Sequence, residues 1–244
     1  MSLHPETTTK PNTMKSIIPS AALAALLISS ASAALYTGGH GDFGVAYEDG
    51  DFHFHFHAEG ATVDGIERDD EEFELSDIIT VASTDAMVTL PANFAPLGGN
   101  AGDTIWVLPE VANPALPFGG LATEELSSGD WGNITFTLGS VVSPSGNGQF
   151  ALWQTGSFGE ILLRMSTADP DPDSLDLLPG SHSHYNWGFT EAGDWEIEMT
   201  VSGTHISDGF QSSTETLSFQ IVPEPSTLLL GGLGLAGFVL RRRR

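Results

Sequence analysis

The chain has 244 residues, 40% apolar and 9% aromatic, and no cysteine. That is enough apolar material for a real core, and it excludes disulfides and thiolate ligands, so any transition-metal site must use His, Asp and Glu. Thirty-two acidic residues against eight basic ones exclude nucleic acid as a partner through like-charge repulsion.

In chain order, the thirteen residues before Met14 are polar and read as an unused extension. MKSIIPSAALAALLISSASA then supplies one positive charge, an apolar stretch and the small-residue triplet Ala31-Ser32-Ala33, the pattern of a cleaved export signal. Residues 1–33 are therefore expected to be removed, with the mature chain starting near Ala34. Residues 34–222 read as one domain. Strand-like runs at 43–47 and 51–57 flank Asp49-Gly50, a strong hairpin signal. Further strands are expected at 73–81, 104–108, 133–138, 149–153, 160–165, 194–201 and 214–222. Turns are expected at 96–99, 143–148, 169–173 and 203–204. Only 123–127 has helical character, and 90–120 reads as a long crossover holding one strand. With 28 glycines and 14 prolines between short strands, the expected fold is all-β, a single antiparallel β-sandwich.

The last segment, 223–244, reads PEPSTLLLGGLGLAGFVLRRRR. Ser226 to Leu240 is an uncharged run of fifteen residues, a little short for a membrane-spanning helix, and the four arginines behind it favour the cytoplasmic side. Pro223-Glu224-Pro225, a short hydrophobic helix and a basic cluster, in that order, resemble the PEP-CTERM sorting signal. The resemblance implies processing by an exosortase-type enzyme, transient membrane anchoring, and release or attachment at the cell surface, often alongside exopolysaccharide. Without its two ends the domain keeps 30 acidic residues against Arg68 and Arg164 alone, about −28 with neutral histidines. Such a surface concentrates cations; adaptation to salty water and cation buffering both fit it.

Six of the eight histidines fall in three places. In DFHFHFHAEG, strand alternation sends Phe52, Phe54 and Phe56 one way and His53, His55 and His57 the other. SHSHYNWGF repeats the spacing with His182 and His184, and His40 stands in YTGGHGDFG with Asp42 two residues on. Three imidazoles in a row cannot share one ion without bending the strand, whereas two i,i+2 pairs on neighbouring strands could converge on a tetrahedral site. Zinc is the leading ion for such donors, with copper or nickel as alternatives. A strand with a solvated histidine face is the competing reading.

LYTGGHGDFGVAYEDG, HFHAEGATVDG and HSHYNWGFTEAGDW together resemble PEP-CTERM proteins under a zinc-uptake repressor and are similar to choice-of-anchor M surface proteins. The resemblance implies an exported protein made under zinc limitation that binds zinc at the envelope. It implies His40, His55, His57 and His184 as ligands, with His182 and Glu59 beside them. A structural or adhesive surface protein with a stapling metal is the alternative. Glu59 could also act as a general base in a zinc hydrolase or hydratase, but no nucleophile motif or phosphate loop accompanies it. Asp169 to Asp173 places acids at positions 1, 3 and 5 of a calcium-loop pattern. Ser174 and Gly180 stand where that pattern needs Gly and Glu, which favours a plain acidic turn over calcium. The run 69–72 is expected to be a solvated loop or an edge-strand guard, and the five tryptophans are expected to pack in the core rather than to stack sugars.

Overall fold

The computed structural model describes residues 32–169 and 173–223. Ala31, Glu224, Pro225, the apolar run behind them and the middle of the 169–173 turn lie outside these residues, while Ala33 and Pro223 fall within them. The compact unit begins at Ser32. Among the described residues helix is confined to three single 3-10 turns, and none is long and apolar enough to cross a membrane.

The strands in chain order open with β1 (Ala34–Glu48), β2 (Asp51–Val63), β3 (Ile66–Glu74), β4 (Ile78–Ala82) and β5 (Met87–Thr89). Next come β6 (Thr104–Leu108), β7 (Pro117–Ala122), β8 (Ile134–Val142), β9 (Phe150–Thr155) and β10 (Ile161–Ser166). The last are β11 (Ser174–Leu177), β12 (His182–His184), β13 (Asn186–Phe189), β14 (Gly193–His205) and β15 (Gly209–Ile221). The fold is all-β, in two sheets. The larger runs β11-β8-β14-β15-β4-β1-β2-β3, with β7 and β12 branching from β1; the smaller runs β10-β9-β13-β6-β5.

The first three strands form a meander whose turns are Asp49-Gly50 and Asp64-Gly65. All four of these residues have positive φ, as a two-residue type I′ turn requires. The acidic run 69–72 lies on β3, the outermost strand, where charge blunts an open edge. The expected strand at 73–81 is broken, because Leu75 turns inward in a 3-10 turn and buries its side chain. The expected turn at 203–204 instead lies within β14, close to its C-terminal end. A Cβ on Gly203 would stand 2.6 Å from Ile134 Cδ1, so close packing explains that glycine. Residues 123–127 form a turn rather than a helix, and 90–120 contains β6 and the start of β7.

The larger sheet is mixed rather than antiparallel. β1 pairs in parallel with β4 over Ala34–Tyr36 and with β7 over Gly39–Gly44, and β15 pairs in parallel with β4. Parallel pairing needs crossovers: β2–β3 joins β1 to β4, β2–β6 joins β1 to β7, and β5–β14 joins β4 to β15. The change of partner along β1 decides where the site will be. The buried Tyr36 hydroxyl pins the branch point: it donates to the Gly39 carbonyl at 2.7 Å and accepts from the Phe118 N–H at 3.0 Å. Burial pushes this phenol far above its ordinary range, so it remains a donor.

Register shifts at Gly39 and Gly60 bend β1 and β2 together. Gly39 has φ +75°, and a Cβ there would lie 2.1 Å from the Gly60 carbonyl oxygen. Gly39→Ala is therefore expected to lower stability by at least about 1–3 kcal/mol, the cost of left-handed backbone alone, read as a shift in denaturant midpoint.

The sheets face each other across one aromatic core. Phe43 of β1 meets Trp187 of β13 at a ring separation of 5.4 Å, Trp187 meets Phe219 of β15 at 5.6 Å, and Phe189 meets Trp195 at 5.3 Å. All five tryptophans are buried, which leaves none to form a sugar platform.

Candidate metal centre

Register turns the alternation of β1 and β2 into a pattern across four strands. On the face turned away from the core, His57 pairs with Asp42, Asp42 with Gly120 of β7, and Gly120 with His184 of β12. The next row is His55, Gly44, Ala122 and His182. Histidines thus stand on both flanks while glycine and alanine leave a trough between them. A Cβ on Gly120 would lie 2.4 Å from Asp42 Oδ1 and 3.2 Å from His184 Nδ1, so the close approach of these two side chains depends on glycine. β12 is held in place from both sheets. Gln154 of β9 donates to Ser183 Oγ and to the His184 carbonyl, and the single Thr123 hydroxyl proton has the carbonyls of Leu178 at 2.7 Å and Ser181 at 2.9 Å as acceptors.

One end of the trough gathers His40, Asp42, His182 and His184, each with a ligand atom within 4.8 Å of the others. The Nε2 atoms of His40 and His184 are 3.1 Å apart, and Asp42 oxygens lie 3.4 Å from the first and 3.9 Å from the second. Two nitrogens bound to one tetrahedral zinc at about 2.0–2.1 Å would stand roughly 3.3 Å apart, so this spacing fits a shared ion. For His40 and His182 the other ring nitrogen faces a carboxylate, whereas His184 Nδ1 is buried without a hydrogen bond. Glu59 faces His40 Nδ1 at 3.4 Å, and Glu124 bonds His182 Nδ1 directly. Carboxylates behind imidazoles in this way fix tautomer and ring orientation in metal sites. Phe118 stacks flat on His184, centroids 3.8 Å apart and planes 8° apart.

Asp42 is the unusual member. It is 2% exposed, and neither carboxylate oxygen accepts a hydrogen bond. A buried carboxylate without donors is costly and requires a cation beside it. His40 answers in part: its approach to Asp42 raises the imidazole above its ordinary range, against the opposing effect of burial. His184 moves the other way, because burial holds it below its ordinary range and so keeps it neutral, the form that ligates metal.

The expected residues separate into two places. His40, His182 and His184 come together, with Glu59 behind His40. His55 and His57 do not join them. His57 faces the Asp70 carboxylate at 3.2 Å and Glu59 at 3.8 Å. His55 is fully buried beside His53, ring centroids 5.0 Å apart, with Glu125 Oε1 at 3.0 Å from its Nε2. It is therefore no part of a wet face. The pairing of His40 with His184 rather than with His55 follows from the insertion of β7 between β1 and β12. Asp42 shares the i,i+2 spacing with His40, which was its signal in the sequence. Glu124, Glu125 and Glu72 carried none beyond being acidic.

An all-β domain with a histidine–aspartate cluster on one sheet face belongs, on this geometry, to the class of candidate metal-binding domains. Residues 222–244 match the PEP-CTERM protein-sorting motif, which implies an exported, surface-sorted protein processed by an exosortase-type enzyme. Comparison with curated proteins and with solved structures gives no match.

Proposed function

We propose that this chain is an exported, surface-sorted protein that binds one transition-metal ion, zinc first, through His40, Asp42, His182 and His184, and that it captures or buffers that metal at the cell envelope. The observation that carries the reading is Asp42, a buried carboxylate lacking donors in the middle of three imidazoles. Nitrogen-rich ligation with one carboxylate suits zinc over calcium or magnesium, and the excess of acid around it draws cations in. His40 and His182 are only partly covered, which gives an ion a route from solvent.

The test is zinc titration of the full chain in detergent by calorimetry, with metal analysis of the protein as isolated. One tight equivalent is expected, lost in a His40→Ala, His184→Ala double variant. Weak, salt-sensitive binding untouched by that variant would leave only the acidic surface. A second reading rests on the ligand count, because four donors can close a tetrahedron and make the ion a structural staple of β12 against β1. In that case metal removal would unfold the protein, whereas capture requires a folded metal-free form.

A further inference from the structure

The geometry points to a second, separate cation site on the same sheet face, formed by His53 and His55 of β2 and Glu72 of β3, with the character of an exchangeable transition-metal site. Ligand atoms of these three residues lie within 4.8 Å of one another, and the group shares no residue with the first cluster. It therefore stands or falls independently of the reading above.

Three observations carry it. First, His55 is fully buried, yet its Nε2 makes no hydrogen bond; Glu125 approaches at 3.0 Å outside hydrogen-bond geometry. An imidazole nitrogen buried without a partner is costly unless something binds it. Second, carboxylates from the strands on either side of β2 flank His53. Glu74 Oε1 of β3 is 3.2 Å from His53 Nε2, and Glu48 of β1 is 3.9 Å from its Nδ1. Third, His53 lines a surface cleft of about 380 Å³ whose other walls include Glu71, Glu72, Glu74 and Asp77. An ion there would be reached directly from solvent.

The donor set defines the ligand class. Two imidazoles select zinc, cobalt, nickel or copper over calcium and magnesium, which prefer all-oxygen sites. Three protein donors are one short of a closed tetrahedron, so the fourth position would be filled by water or by an incoming ligand from the cleft. The first cluster offers four donors, three imidazoles and one buried carboxylate. The two sites would thus differ in kind, a tight one at the β12 end of the trough and an open one at the β3 end. The face would hold two ions, the outer one exchanging faster.

The experiment is titration of the metal-free full chain in detergent with Co²⁺, followed by its visible absorption, and with Zn²⁺ by calorimetry. The wild type is expected to bind two equivalents of unequal affinity. Glu72→Gln should weaken the second by about 10-fold or more, and His53→Ala should remove it, with the first unchanged. His184→Ala should do the reverse. Both His53 and Glu72 are partly exposed, so their variants should melt like the wild type; Glu72→Gln, which keeps shape, serves if His53→Ala does not fold. A single wild-type equivalent that His184→Ala removes and His53→Ala leaves would overturn the second site, as would a second equivalent that ignores both His53→Ala and Glu72→Gln or vanishes in high salt. A single equivalent that His53→Ala removes and His184→Ala leaves would instead count against the His40 cluster.

Discussion

Asp42→Asn is expected to raise the melting temperature of the metal-free protein and to abolish tight metal binding in the same step. Asp42 is buried, its oxygens accept no hydrogen bond, and its nearest donor is His40 Nε2 at 3.4 Å. Measured above the histidine titration range, His40 is neutral and the carboxylate has no cationic partner. Asparagine keeps the shape, removes the charge and brings an amide donor toward the two Nε2 atoms. A relief of about 2 kcal/mol is a conservative share of the several that a buried, unpaired ion costs. In a domain of this size that corresponds to roughly 4–8 °C. For the metal the same change removes the one anionic donor of the cluster, and at least a 100-fold loss of affinity is expected, about 2.8 kcal/mol. Opposite signs are what separate a ligand from a packing residue. If the variant melts lower and still binds zinc tightly, Asp42 serves the fold and the proposed centre is wrong.

The parts of this fold that rest on local chemistry were readable in the chain. Asp49-Gly50 announced its hairpin because only a few residues tolerate two successive positive φ angles, and the Phe-His alternation of 52–57 gave the two faces of β2 directly. What could not be read is what depends on pairing between distant segments. PFGGLA has no period-two pattern, yet β7 separates β1 from β12 and so decides which histidines meet. Gly120 looks like loop punctuation in the sequence; in the sheet it is the gap through which Asp42 and His184 approach. The candidate ligands were legible as residue types, whereas their grouping required the register. His53, which the family resemblance left out, lies closer to His55 than His57 does, with ring centroids 5.0 Å apart against 6.3 Å, although both stand two residues away on the same strand.

The register also ties the site to the core, and Trp187→Ala measures that link. Trp187 is 1% exposed, packs on Phe43, Phe150 and Phe219, and donates from Nε1 to the Gly119 carbonyl at 3.2 Å. Gly119 pairs with Gly41, so this one side chain lies under the strands that carry His40, Asp42 and Gly120. Truncation is expected to cost about 3–5 kcal/mol, a large fraction of the 5–15 kcal/mol typical of a whole domain. Trp187→Phe should cost less, because it fills most of the space and leaves only the Gly119 carbonyl without its donor. Chemical denaturation of the metal-free protein gives the first quantity, and zinc affinity of each folded variant gives the second. Both should fall together for alanine, since a cavity beneath β7 loosens the spacing of the ligands above it. For phenylalanine a modest loss of stability with nearly unchanged affinity is expected. Equal stability losses for the two variants would mean that the hydrogen bond, not the packing, holds β7 against β13. An alanine variant that stays folded and binds zinc as tightly as the wild type would show that the trough keeps its shape without the core beneath it.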